Sequence, residues 1–334
     1  MKTATAWKAG VATDPGLQRK VNEDRALVDE ALGMFLVVDG LGGHAAGERA
    51  AETAARAITG SLEAAALEGR RDVEENIRRA ITEANNQIYL LAQQDEECYG
   101  MACVLTLAVA DEERVTVGHV GDSRLYLIWN GNLRKLTSDH SPVGEQEEHG
   151  ELTEEEAMHH PRRNEVFRDV GSQPRLPGDP QFIETRSVRF RPDAALLLCS
   201  DGLTDVLTSS EIGAIVERYD GDPDATARQL VEAANAAGGK DNISVVFVAG
   251  AEFLGSNSNT LLEVRPRHAA TRMRETDGRR RSLLRNVLLL IAGMILGILL
   301  WIAVERATQH RPTGWPLAHP SGNGASEPRR PEGK

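Results

Sequence analysis

The 334-residue chain carries 50 acidic and 38 basic side chains, with 41% hydrophobic and 26% charged residues. Those proportions belong to a globular protein and exclude disorder of the whole chain, collagen-like repeats and a disulfide-stapled mini-fold. Cys98, Cys103 and Cys199 are odd in number and lack a CxxC spacing, which argues against a thiol-built zinc site and fits a reducing compartment.

Residues 1–254 read as one domain. Met34–Val38 (MFLVV) is a short apolar strand, stopped by Asp39 and a run of glycines. Residues 46–68 are Ala-rich and predict a helix. Over 72–94, Val73, Ile77, Ala80, Ile81, Ala84, Ile88 and Leu91 share one face at the helical period. Strand-like segments follow at 102–110, 114–120 and 123–129. LYLIWNGNLRKL then alternates about Asn130–Gly131, a two-residue hairpin signal. Residues 141–180 are polar and weakly patterned, as an insertion or flap would be. Ala194–Cys199 (AALLLC) predicts a buried strand ending at Ser200-Asp201-Gly202. Two helices follow, the second opening with Asp222 as N-cap and Pro223 at its first position. Ile243–Val248 is a last strand. Paired helices, hairpin-like strands and no regular βαβ alternation indicate a mixed layer structure of α and β elements.

The charge is uneven. Residues 261–285 hold eight Arg and three acids, net +5, and residues 286–334 are net +2, so with −12 overall residues 1–260 carry −19. A domain that acidic repels phosphate backbones and is no general nucleic-acid binder. Val287–Val304 runs eighteen residues without a charge, and Leu283 and Leu284 extend it over 283–304. That length predicts a transmembrane helix. A buried core helix is the alternative, which the flanking Arg279, Arg280, Arg281 and Arg285 and the Pro/Gly-rich tail disfavour. The Arg cluster precedes the span, so the positive-inside bias puts the N-terminal domain in the cytoplasm. Met1–Gly10 has no apolar run of a signal peptide. Gly293 and Gly297 form a GxxxG pair. Residues 255–282 read as a basic juxtamembrane linker suited to anionic lipid, and 305–334 as a disordered tail.

Several carboxylates recur in one context. Asp39 ends MFLVV, Asp201 follows LLLCS, Asp122 follows VTVGHVG, Asp241 precedes NISVVFV, and Glu23-Asp24 sits near another strand start. An Asp abutting an apolar strand is costly unless a turn, a helix N-terminus or a cation satisfies it. Any one of these is explained equally well by an Asp-Gly turn. Were the strand ends to meet, they would form an all-oxygen cluster that stays ionised only with a cation, and oxygen ligands favour Mg²⁺ or Mn²⁺ over Zn²⁺.

Six words occur in order: Thr13-Asp14-Pro15-Gly16-Leu17-Gln18-Arg19, Asn22-Glu23-Asp24, Val38-Asp39-Gly40-Leu41-Gly42-Gly43-His44, Gly121-Asp122-Ser123-Arg124, Cys199-Ser200-Asp201-Gly202-Leu203-Thr204-Asp205 and Gly239-Lys240-Asp241-Asn242-Ile243-Ser244. Over residues 5–250 the chain resembles the metal-dependent protein phosphatases of type 2C, in particular their bacterial branch. The resemblance implies an α+β fold: a four-layer α-β-β-α sandwich of two antiparallel sheets flanked by helix pairs, with two Mn²⁺ or Mg²⁺ ions at one end. It implies that Asp39 bridges both metals, that the Gly40 carbonyl ligates one, and that Asp201 and Asp241 complete the ligands of the second metal. Glu23 and Asp24 would orient metal-bound waters, and Arg19 would clamp the substrate phosphate with its guanidinium fork. Asp122, with Asp201, would hold a weaker third metal. The implied chemistry is direct attack by a metal-activated water on phosphoserine or phosphothreonine of proteins, opposing a serine/threonine kinase.

Three departures bear on these expectations. Leu41 stands where many eukaryotic relatives place a proton-donating His, which leaves the general acid unassigned; His44 is the nearest substitute by sequence, although packing at the helix start suits it better. Met101-Ala102-Cys103-Val104 replaces the usual Gly-Thr-Thr word and puts the strand geometry there in question. Arg162 and Arg163, in the flap, suit a phosphopeptide contact less well than a solvated charged face. Two other functions compete. Gly40-Leu41-Gly42-Gly43-His44-Ala45 satisfies a dinucleotide-binding spacing, although Asp39 would repel a pyrophosphate there. A catalytically silent phosphoprotein scaffold at the membrane is the other.

Overall fold

The computed structural model describes residues 7–42, 45–111 and 113–255. Among the described residues, ten strands form two five-stranded sheets in which every pairing is antiparallel. The first sheet runs β1 (Trp7–Asp14), β10 (Ile243–Gly250), β9 (Ala194–Cys199), β6 (Arg124–Trp129), β7 (Asn132–Lys135). The second runs β2 (Arg25–Asp29), β3 (Met34–Leu41), β4 (Ala102–Ala110), β5 (Arg114–Val120), β8 (Glu184–Arg189). Helices α1 (Ala45–Leu67) and α2 (Val73–Gln94) cover the second sheet. Helices α5 (Asp201–Thr204), α6 (Ser209–Val216) and α7 (Pro223–Ala236) cover the first.

The strand period explains the layering. Met34, Leu36 and Val38 point into the core beneath α1 and α2, while Phe35 and Val37 point between the sheets. Likewise Ala195, Leu197 and Cys199 face the α6–α7 side, and Leu196 and Leu198 face the inter-sheet core. Both faces of these strands are covered, so they read as continuous apolar runs with no alternation. The four-layer sandwich implied by the resemblance is the architecture observed.

Most expected elements fall within a residue or two of their predicted bounds. Asp72 caps α2 by accepting from the Glu75 amide at 3.0 Å, and Asp222 caps α7 by accepting from Ala225 at 3.1 Å. Asn130 and Gly131 take φ of 52° and 71°, as a two-residue hairpin turn requires. Met101–Val104 does not disturb the sheet: β4 starts at Ala102, and Cys103 and Val104 pair with Gly40 and Asp39. Strands β1 and β8 escape the sequence reading, and β2 shows only as a strand start after Glu23-Asp24, because all three are sheet edges with only part-buried patterns. β8, with sequence ETRSVR, owes its form to backbone pairing with β5. The 141–180 insertion holds two short helices, α3 (Pro142–Glu148) and α4 (Glu154–Met158), the latter opened by a Thr153/Glu156 capping box. A bridge between Val170 and Cys103 returns it to the sheet.

Among the described residues no helix is long and apolar enough to cross a membrane. The expected span at 283–304, the tail at 305–334 and all but the first residue of the linker lie outside the described residues, as does His44.

A buried ion network fixes the start of β6. Arg124 donates to Asp139 from Nη2 at 2.6 Å and from Nε at 2.9 Å, and its Nη2 also reaches Glu147 at 3.0 Å. Burial works to raise the Asp139 carboxyl pKa, yet Arg124, and then Lys135, bring it below the usual value. Removing the guanidinium leaves an almost wholly buried carboxylate with Lys135, 3.4 Å away, as its remaining ion-pair partner. Arg124→Ala is therefore expected to lower unfolding stability by about 3–5 kcal/mol, read from the shift in denaturant midpoint.

Candidate active site

Antiparallel register brings the acidic residues together. Cys199, at the end of β9, pairs with Arg124 at the start of β6 and with Val245 near the start of β10. Asp201, Asp122 and Asp241 therefore emerge at one end of the first sheet. In the second sheet Asp39 closes β3 opposite Val104, beside the start of β2 where Arg25 pairs with Val38. The result is one pocket lined by Arg19, Glu23, Asp39, Gly40, Asp122 and Asp201, with Asp241 and Asn242 at its wall. Leu41 also lines it, and so do Asn164 and Val166 from the 141–180 insertion. Asp24 does not. It lies beneath the floor, 2% exposed, accepting from Ser200 Oγ at 2.8 Å.

The local structure explains each position. Asn242 is the main fastener: its Oδ1 accepts from the Glu23 amide at 2.8 Å, and its Nδ2 donates to the Pro15 and Val21 carbonyls at 2.9 Å each. It thereby ties the loop bearing Arg19 and Glu23 to β10. Ser200 Oγ accepts from the Ser244 amide at 2.9 Å while donating to Asp24, and Thr13 and Ser244 share a hydroxyl contact of 2.8 Å. Gly40 must be glycine, because a Cβ there would run into the Gly47 carbonyl and crowd the Glu23 backbone. Arg19 is half exposed and donates to Asp241 Oδ2 at 2.7 Å.

Burial is the largest influence on these acids, and mutual repulsion adds to it. Asp39 is held well above the usual carboxylate range by desolvation and then by the charges of Asp24, Asp201, Asp122 and Asp241. Asp201 is raised for the same reason, with Asp205 its strongest neighbour. Asp122 is pushed to about 7 by burial and by Asp139, and Asp24 to about 6 by burial against hydrogen bonds from Ser244 and Ser200. The Asp24 Oδ1 and Asp201 Oδ1 atoms are buried without a hydrogen-bond partner. Oxygen-only donors, unfilled acceptors and charges too close to ionise together are the features a divalent cation site presents. The residues fit Mg²⁺ or Mn²⁺.

The structure brings Arg19, Glu23, Asp39, Gly40, Asp122, Asp201 and Asp241 to this pocket, with Asp24 beneath it. Asn242, Ser200 and Ser244 stand within the six sequence words, but their roles depend on contacts across more than forty positions of chain and have no local signal. The same holds for Asp205. It accepts from Arg163 Nε at 2.8 Å, so Arg163 staples the insertion to α5 and is not a solvated residue. Arg162 is one, exposed and paired with Glu165.

A second titratable group, His119, His140 and Glu184, has ligand atoms within 4.8 Å of one another. It does not suit a cation. Arg168 Nη1 lies 3.1 Å from His140 Nε2, placing positive charge where the ion would sit, and the Gly121 amide donates to His140 Nδ1 at 3.0 Å. The His140 amide in turn donates to the Gly121 carbonyl at 2.7 Å. Its evident work is to clamp Gly121, next to Asp122.

The raised acids have a measurable consequence for the metal-free protein. Asp122 keeps its proton to about pH 7 when folded but releases it near 3.8 when unfolded. Between those values the folded state binds more protons, so stability falls as pH rises. In EDTA the protein is expected to melt at a lower temperature at about pH 7.5 than at about pH 5.5. Calorimetry should show that difference shrinking in Asp122→Asn.

Comparison with known proteins agrees with the geometry. The family model "Protein phosphatase 2C" matches residues 18–240. The serine/threonine phosphatase Stp of Listeria welshimeri is 38% identical over 240 residues, 71% of this chain and 93% of that protein. The crystal structure of Stp1 from Staphylococcus aureus superposes with a TM-score of 0.66 at 31% identity, covering 75% of this chain and 97% of that one. The catalytic domain of PstP, solved with two manganese ions, gives 0.62 at 27% identity, covering 73% and 97%. A carboxylate pocket at the joined ends of two antiparallel sheets, and matches spanning nearly the whole length of these relatives, lead to one conclusion: the chain belongs to the protein phosphatase 2C family.

Proposed function

We propose that this chain is a metal-dependent phosphatase of phosphoserine and phosphothreonine in proteins, acting at the cytoplasmic face of the cell membrane. The observation carrying the reading is the convergence of Asp39, Asp122, Asp201 and Asp241 on one pocket that Arg19 also lines. The named relatives are serine/threonine phosphatases, which supports this substrate class. The antiparallel sheets speak against the dinucleotide reading, since that crevice needs a parallel sheet. The intact set of carboxylates speaks against a silent scaffold.

Asp39, the Gly40 carbonyl, Asp201 and Asp241 would hold two Mn²⁺ or Mg²⁺ ions, and Asp122 with Asp201 a weaker third. When bound, such ions acidify water and neutralise charge on a phosphoryl group. The rest falls to the chain itself. Arg19 lies at the pocket where its fork can meet two phosphate oxygens while Asp241 orients it. Glu23, at the lining, is placed to accept hydrogen bonds from water, whereas buried Asp24 shapes the field under Asp39 and braces Ser200. Leu41 offers no proton to the leaving oxygen. Asn164 and Val166 form the side contributed by the insertion, where a substrate's flanking residues would lie.

The membrane reading rests on the apolar run 287–304 and the arginines before it. Tethering raises the effective concentration of membrane-proximal phosphoproteins without any new contact.

Three measurements test the proposal. Turnover of phosphothreonine peptides is expected to need Mn²⁺ or Mg²⁺, to vanish in EDTA, and to fall about 10²-fold or more in Asp39→Asn; turnover unchanged in either condition refutes the metal mechanism. The full chain should fractionate with membranes, and deletion of 283–304 should release it. In a phosphoproteome comparison with and without the gene, phosphoserine and phosphothreonine sites on membrane-proximal proteins should rise; a rise confined to phosphotyrosine refutes the substrate class.

A further inference from the structure

Asp122 stands in the short turn between β5 and β6. Gly121, just before it, takes a φ of 110°, and a Cβ there would strike the Val104 side chain. Val104 is the residue paired with Asp39 across β4 and β3, so the turn packs directly against the floor of the pocket. No side chain donates to the Asp122 carboxylate among the described residues; only its own backbone amide does. The direction of that carboxylate is therefore set by the backbone of the turn.

The turn is held from both sides. After Asp122, Thr106 Oγ1 donates to the Ser123 carbonyl at 3.0 Å. Before it, the Gly121 amide donates to His140 Nδ1 at 3.0 Å, and the His140 amide donates to the Gly121 carbonyl at 2.7 Å. An amide can donate only to an unprotonated ring nitrogen, so the ring proton lies on Nε2, on the side where Glu184 Oε2 stands 3.8 Å away. His140 is itself fixed. It is buried, its ring packs on that of His119 at 4.9 Å, and its carbonyl accepts from the Phe167 amide of the insertion at 2.9 Å. Its neighbour Asp139 holds Arg124, two places after Asp122.

We propose that His140 is the positioning residue of the weak third cation site, aiming Asp122 beside Asp201 by locking the turn at Gly121. This rests on the reading of Asp122 and Asp201 as that cation's ligands. Without the ring acceptor the Gly121 amide is left unpaired inside the fold, and the turn moves to relieve it. Asp39, Gly40 and Asp241 lie outside that turn, so the two tighter ions are retained.

Manganese titration of the full chain, read from the paramagnetic resonance signal of the free ion, tests this without reference to turnover. Asp122→Asn should lose the weak class of sites and keep the tight one. His140→Gln, whose amide reaches the place of Nε2, and His140→Leu should bind the weak ion about tenfold less tightly or worse, with tight binding unchanged as the report of an intact fold. His140→Asn puts an oxygen where Nδ1 stood and should bind the weak ion almost as the parent does. Weak binding at the parent level in His140→Gln and His140→Leu would overturn the proposal. So would an equal loss in His140→Asn, which would assign the effect to packing of the ring. Should His140→Leu fail to fold, the Gln and Asn substitutions decide alone. A parent without a weak class, or a weak class that persists in Asp122→Asn, would refute the third-site reading and the proposal with it.

Discussion

The structure is organised around a repulsion. Asp24, Asp39 and Asp201 bind their protons more tightly because burial disfavours their charge and the neighbouring aspartates, Asp122 and Asp241 among them, repel it. A chain left to minimise its own energy would separate them. Two antiparallel sheets prevent this, because each acid is attached to the end of a strand whose register is set by apolar residues on both faces. The core holds together what electrostatics would drive apart, and that tension is what makes the pocket receptive to cations.

Fixing acids at strand ends also demands fastening in the turns. Asn242 spends its whole amide on loop 15–23, and His140 grips Gly121 through both its backbone and its ring. The Arg124–Asp139–Glu147 cluster anchors the residue two places after Asp122. Buried polar groups of this kind add little net stability, but one misplaced partner costs much. They give the pocket a single geometry, which a two-cation site needs more than strength.

The parts legible in sequence were those governed by local rules. The helical face of α2, the Asn130–Gly131 turn and the Asp222–Pro223 start of α7 all encode their structure within a few residues. The strand-end acids could be listed, yet nothing in their spacing brings them together; the register of strands distant in sequence does, setting them around one pocket. Edge strands β1 and β8 stayed hidden, and β2 showed only as a strand start, because their form is lent by a neighbour's backbone. Asp24 shows the same gap at the site: its place in a motif suggested water contact, whereas the fold puts it beneath the floor against Ser200. Arg163 was undervalued because Asp205, its partner, lies forty-two positions away.

Strands β6, β9 and β10 separate two tasks along their length, with carboxylates at one extremity and the departing chain at the other. Sites that share no neighbours change nearly independently. Lengthening, exchanging or recharging whatever follows Gly255 thus leaves the hydrolytic centre unaltered, so relocation of such an enzyme within a cell needs no redesign of its chemistry.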